Sequence, residues 1–127
     1  ALISIDQLHS IQDQYGLNAP DITIKSLSEL VPKAFGRFHY GRISDSDIAV
    51  LMIGLTLEQA AKLTEGFRVI IEDHIVIYDE LNFNFTISAG ITSSQNQSLI
   101  ELLKNADNRL YTARDSGENQ VCYEAAL

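Results

Sequence analysis

Apolar and polar positions divide the chain into short strand-like runs and longer helical stripes. Residues 1–6 read as a strand, with Ile3 and Ile5 on one side and Ser4 and Asp6 on the other. Over residues 7–15, Leu8, Ile11 and Tyr15 fall at helical spacing, and Gly16 is placed to cap that helix. A second helix is predicted over 21–30 on Ile22, Ile24, Leu27 and Leu30, ended by Pro32. The aromatic-rich run 35–43 and the unbroken apolar run 48–53 predict a β-hairpin. A run apolar at every position suits a strand covered on both faces, which places the hairpin in the middle of a sheet.

The second half follows the same logic. Thr56-Leu57-Glu58-Gln59 has the form of a capping box, and Ala60, Leu63, Phe67 and Ile70 carry the helix behind it to about Glu72. Residues 75–78 suit a short strand, and 82–92 alternate through Phe83, Phe85, Ile87, Ala89 and Ile91 as one half-buried strand. Ser98-Leu99-Ile100-Glu101 is a second capping box; its helix uses Leu99, Leu102, Leu103, Ala106, Leu110 and Ala113 and stops at Gly117. Residues 120–124 suit a last strand, and 123–127 could begin a further helix. The order β-α-α-β-β-α-β-α-β implies an α+β fold, a central antiparallel sheet of about five strands with helices on its faces.

Composition narrows the class. A length of 127 residues with 46% hydrophobic and 20% charged residues suits one globular domain with a sizeable core. A net charge of -8 argues against nucleic acid or an anionic membrane as partner, and makes any triphosphate site depend on local cations. The single cysteine, Cys122, excludes an internal disulfide and suits a reducing, cytoplasmic setting. No apolar run approaches the ~20 residues of a membrane span, so no direct membrane insertion is expected. The chain opens without methionine inside a strand-like run, so we expect a single domain, 1–127, excised from a longer polypeptide.

Candidate chemistry concentrates at the hairpin turn, Ser44-Asp45-Ser46-Asp47-Ile48. Asp45 and Asp47, with Asp6 nearby, could form an unusual metal site or a solvated turn in which Asp tolerates positive φ. Ser4 has no His or Asp at a spacing that would make it a nucleophile. His9, His39 and His74 show no ligand spacing, and Cys122 reads as a small hydrophobe.

Two segments resemble a known family. Phe85-Thr86-Ile87-Ser88-Ala89-Gly90-Ile91, then Ala106-Asp107-Asn108-Arg109-Leu110-Tyr111-Thr112-Ala113-Arg114-Asp115-Ser116-Gly117-Glu118-Asn119, are similar to the closing strand and helix of a GGDEF domain. Ser4-Ile5-Asp6-Gln7-Leu8-His9-Ser10-Ile11-Gln12-Asp13-Gln14-Tyr15-Gly16 is similar to the family's opening motif. The resemblance covers the whole chain except the family's leading helix. It implies the ferredoxin-like palm of nucleotide cyclases, and a place in cyclic di-GMP signalling. Active members are diguanylate cyclases that pair face to face, each holding GTP and Mg²⁺.

Carried over residue by residue, the resemblance implies a degenerate site. The family's metal-binding carboxylates fall on Ser4 and Ser46, although Ile5 could still offer its carbonyl; the two glycines of the signature fall on Ser44 and Asp45. Mg²⁺ prefers carboxylate oxygens, and a two-metal transfer site needs them. The phosphate-binding Lys is His9, the base-reading Asn is Gln12, and a phosphate-binding Arg is Glu118; Asp21 and Arg114 remain plausible contacts. A carboxylate beside a triphosphate costs on the order of several kcal/mol. The family's Arg-x-x-Asp inhibitory motif is replaced by Phe35-Gly36-Arg37-Phe38.

The expectation is therefore a domain that is not an enzyme: no catalytic residues, no metal, and binding of Mg²⁺ and GTP lost or weak. It would act as a regulatory or interaction module with neighbouring domains of the same polypeptide, an EAL domain among them, as in FimX-like cyclic di-GMP receptors. A homodimer would form through flanking domains. The alternatives are a GTP-binding allosteric domain without turnover and, third, a working cyclase with divergent ligands.

Overall fold

The computed structural model describes residues 1–95 and 97–123. Four helices and seven strands follow in the order β1 (Leu2–Ile5), α1 (Leu8–Tyr15), α2 (Ala19–Phe35), β2 (His39–Arg42), β3 (Asp47–Leu51), α3 (Leu57–Asp73), β4 (Val76–Tyr78), β5 (Leu81–Phe83), β6 (Ile87–Gly90), α4 (Leu99–Asp115) and β7 (Val121–Cys122). Five strands form the main sheet in the order β2-β3-β1-β6-β7, and β4-β5 is a separate two-stranded ribbon. The fold is α+β, as the patterning predicts.

β1 is the centre. All four of its residues are buried, and it pairs antiparallel with β3 on one side and β6 on the other. Alternation sorts its side chains by face. Ile3 and Ile5 join Ile48, Val50, Ile87 and Ala89 in the main core with Leu27, Val31 and Phe35 of α2 and Phe67 and Ile71 of α3. Leu2 turns the other way, against Ala106 and Leu110 of α4. Ser4, two residues on, therefore shares the α4 face.

Four expectations are corrected. The hairpin is not central: β2 is an edge strand exposed at all four positions, and only β3 is flanked on both sides. The run 48–53 is apolar throughout, but Leu51 and Ile53 stand 49% and 76% exposed, so its hydrocarbon does not report burial on two faces. Second, α2 does not end at Pro32 but continues to Phe35. Burial of Val31 and Phe35, with Phe35 set edge-on to Phe67 at 5.1 Å, offsets the backbone hydrogen bond that proline cannot donate.

Third, residues 82–92 form two strands. Asn84 donates to the Glu72 carbonyl at 3.0 Å, and Phe83 stacks on Tyr15 at 4.4 Å, so β5 is held with β4 apart from β6. Fourth, the main sheet is mixed, because β7 returns after α4 and pairs parallel to β6. β7 covers Val121–Cys122; Glu124 of the expected strand and 124–127 of the expected further helix lie outside the described residues.

The start signals of α3 and α4 hold, but of the two expected capping boxes only the first is reciprocal; at the second only the Ser98 half forms. Thr56 and Gln59 form the reciprocal capping box of α3, and Ser98 Oγ accepts from the Glu101 amide at 3.2 Å at the start of α4. Among the described residues, no helix is long and apolar enough to cross a membrane.

Candidate functional site

The C-terminal end of β1 and the hairpin tip lie side by side. Ser4 is opposite Asp47 on β3 and Ser88 on β6, and the Ile5 amide donates to the Ser46 carbonyl at 3.1 Å. The turn is closed by the Ile43 amide on the Asp47 carbonyl at 3.0 Å. Ser46 Oγ donates to Asp47 Oδ1 at 3.0 Å, so the hydroxyl and the carboxylate satisfy each other.

Arg42 wraps the tip. Its Nε donates to the Ser44 carbonyl at 2.9 Å, its Nη2 to the Asp45 carbonyl at 3.3 Å, and the guanidinium lies 3.6 Å from Asp45 Oδ1. Both partners of that ion pair are exposed, so solvent screening leaves it little weight in stability. Neither Ser44 nor Asp45 has a positive φ. The expected left-handed turn at Asp45 is thus absent, and the tip needs no glycine for its own backbone. Ile48 is buried in the main core, a packing residue.

From the far end of α4, Arg114 donates to the hydroxyl of Ser4, which is fully buried. Glu118 sits in the turn after α4 at φ 65° and accepts from Gln7 Nε2 at 3.1 Å. The structure so assembles Ser4, Ile5, Ser46, Asp47 and Arg114, with Glu118 beside Gln7. His9 and Gln12 on α1 and Asp21 in the first turn of α2 are exposed and share no hydrogen bond with that group among the described residues. Asp21 does complement the positive end of the α2 dipole.

One feature of this end of the sheet was not singled out from the sequence: the environment of Asp6. Its buried carboxylate accepts from Thr86 Oγ1 and Ser88 Oγ, each at 2.7 Å, and from the Asn119 amide at 3.0 Å. Three bonds meet the desolvation cost of a buried charge. Asn119 also accepts from Arg68 at 2.8 Å and donates to Glu72, which ties the turn to α3. Glu65, hydrogen-bonded to Arg68, raises the pKa of that guanidinium above its ordinary value.

Of the four non-glycine residues with positive φ among the described residues, Gln7, Glu118 and Asn119 all meet here. Backbone held in that region costs on the order of 1–3 kcal/mol per residue and persists where surrounding bonds over-determine it. The sequence does carry the signal: Thr86 and Ser88 share the polar face of their strand, and the motif ends on Gly117-Glu118-Asn119.

The donors at the tip do not fit a Mg²⁺ site of the kind the resemblance implies. They are two neutral hydroxyls, a backbone carbonyl, and a carboxylate already bonded to Ser46. Among the described residues, no three His, Cys, Asp or Glu side chains come together as a metal-ligand group. Mg²⁺ gives up water reluctantly and is held through one or two carboxylates.

Comparison with known proteins bears on identity. The family model "Diguanylate cyclase, GGDEF domain" matches residues 1–120. A membrane protein of Staphylococcus haemolyticus, SH2145, is 28% identical over 99% of this chain and 37% of its own length. Diguanylate cyclase A of Treponema denticola is 26% identical over 94% of this chain and 33% of its own length. The chain thus spans about a third of these relatives. The active GGEEF domain of a diguanylate cyclase from Vibrio cholerae superposes with a TM-score of 0.87 at 23% identity, covering 98% of this chain and 81% of that one; at that identity the likeness is one of fold.

These matches overturn the expectation that the chain is not an enzyme. The family it matches is named for diguanylate cyclases, and so is the T. denticola relative. The physical reason is that hydroxyls at 4 and 46 weaken an oxygen donor set without removing it. A carboxylate survives one residue from Ser46 at Asp47, and Arg114 still reaches the end of β1. Loss of activity does not follow from two substitutions. By its sequence from residue 1 to 120 and by its fold, the chain belongs to the GGDEF domain family of diguanylate cyclases.

Proposed function

We propose that this GGDEF domain serves cyclic di-GMP signalling chiefly as a regulatory and interaction module, coupled to an EAL or other signalling domain on the cytoplasmic side of the membrane. Any phosphoryl transfer of its own runs slowly. One observation carries the reading: both hydroxyls standing where the family has metal carboxylates are engaged within the protein, Ser4 with Arg114 and Ser46 with Asp47. A cation bound there would have to break those bonds and would gain no charge from either serine. Glu118 and Asp45 add negative charge around the same end.

A second reading is favoured by Arg114. Arg114 is an exposed residue whose Nη2 reaches Ser4, so it could meet an anionic phosphate at the end of β1. In this reading the domain binds GTP as an allosteric ligand. The two are separated by titrating purified protein with GTP and Mg²⁺ in a calorimeter: clear micromolar binding supports the nucleotide sensor, and its absence supports the interaction module. Both readings expect slow formation of cyclic di-GMP at high GTP with Mg²⁺ or Mn²⁺. Turnover at the rate of a carboxylate-bearing family member would sink them together. Restoring Ser4→Asp and Ser46→Glu is not expected to bring fast turnover, because Glu118, His9 and Asp45 remain.

A further inference from the structure

The chain has 17 acidic and 9 basic residues, so an exposed region lined by cations without a carboxylate is unusual for it. One such region lies between the C-terminal end of α2 and the outer face of α3. A cleft of about 640 Å³ there is lined by Lys33, Arg37 and Lys62 around an apolar floor of Leu63, Phe67 and Ile70, and none of its lining residues is acidic. Three of the nine cations gather on this one surface. Lys33 and Lys62 have no ion pair or hydrogen bond among the described residues, and Arg37 lies over the Phe38 ring at 4.7 Å. The cleft shares Arg37 and Leu55 with a second, likewise without a carboxylate, that runs on past His39 to the exposed Leu51 and Ile53.

Gly66 lies at the centre of the α3 side of the groove. Glycine inside a helix costs about 1 kcal/mol relative to alanine. The fold does not call for it: a Cβ built there would meet nothing within 4 Å, and the backbone is not left-handed. Its effect is to leave a hollow beside Leu63, Phe67 and Ile70. Those three recur at positions i, i+4 and i+7, and the α3 wall from Gln59 to Ile70 is about 16 Å long, enough for three turns of a helix laid against it.

We propose that this groove docks an acidic amphipathic helix of a partner protein, whose apolar stripe lies in the hollow at Gly66 and whose carboxylates meet Lys33, Arg37 and Lys62. This deepens the interaction-module reading above and rests on it. Charge complementarity selects the partner, because the net charge of -8 disfavours acidic segments over the chain as a whole while this groove presents three cations and no carboxylate.

The test uses a labelled helical peptide with leucines along one face and glutamates flanking them, followed by fluorescence anisotropy against the full chain. A second peptide carries lysines in place of the glutamates. The glutamate peptide is expected to bind saturably, and at least about tenfold more tightly than the lysine peptide, the reverse of what net charge alone would give. Gly66→Glu fills the hollow and adds a carboxylate, yet favours the helix; it should raise the melting temperature while weakening the peptide about tenfold. The double variant Lys33→Glu/Lys62→Glu should weaken it similarly. Equal or tighter binding of the lysine peptide, or unchanged binding by folded Gly66→Glu protein, overturns the proposal. Displacement of the peptide by equimolar cyclic di-GMP overturns it too, by assigning the groove to a nucleotide. None of these results depends on GTP or turnover, so they are distinguishable from failure of the regulatory reading.

Discussion

Two stretches of this domain carry family motifs, and they have fared differently. The strand Thr86-Ile87-Ser88-Ala89-Gly90 keeps its pattern; the hairpin tip Ser44-Asp45-Ser46-Asp47-Ile48 does not. In the strand each polar or small residue has a role in folding. Thr86 and Ser88 bond the buried Asp6, and a Cβ on Gly90 would stand 2.2 Å from the Ala106 carbonyl oxygen and 2.3 Å from the Leu110 amide nitrogen, where α4 crosses β6. Among the described residues, the side chains from Ser44 to Ser46 hydrogen-bond or ion-pair only with one another's backbone, Asp47 and Arg42, and the backbone asks for no glycine. The fold requires the strand's residues; it does not require those of the tip.

The sharpest way to break that contrast is at Gly90. Gly90→Val puts a branched side chain into helix backbone, and overpacking of that kind costs about 3 kcal/mol or more. Urea denaturation should show the loss, or no folded protein. Next comes Asp6→Ala, which takes the acceptor from the Thr86 and Ser88 hydroxyls and leaves the Asn119 amide only Ser88 Oγ; about 2–4 kcal/mol is expected in the same assay. Asp6→Asn should cost less, because it keeps one acceptor. Removing the α3 cap with Thr56→Ala should cost about 1 kcal/mol. Smallest of all, Ser44→Gly/Asp45→Gly at the tip should change stability by no more than about 0.5 kcal/mol. A large loss there would show that the fold, too, depends on these residues.

The same division governs what could be read from the sequence. Helices with a stripe and a cap were legible: Thr56 with Gln59 and Ser98 with Glu101 mark starts within a residue of those observed. Local pattern misled where tertiary contact decided. Pro32 stops no helix because Phe35, one turn on, finds Phe67. The apolar residues 48–53 are not buried on both faces, because β2 has no neighbour beyond it and the groove leaves Leu51 and Ile53 open.

At the candidate site, the neighbourhood of Ser4, Ser46 and Asp47 was legible through the family motif, and β-pairing brings them together. The Asp6–Asn119 link was not, since it joins residues 113 positions apart through a left-handed turn that no spacing rule encodes. Side-chain changes at two positions do not amount to loss of the reaction, so the family match corrects the expectation of no enzyme.

The central proposal is that the tip holds a metal–nucleotide complex weakly while the scaffold is intact. It is tested most directly by calorimetric titration of GTP·Mg²⁺ into the wild-type protein and into Ser4→Asp/Ser46→Glu. The account predicts that the double variant binds at least about tenfold more tightly, a gain of about 1.4 kcal/mol. Equal affinity in the two proteins, or tighter binding by the wild type, would contradict it.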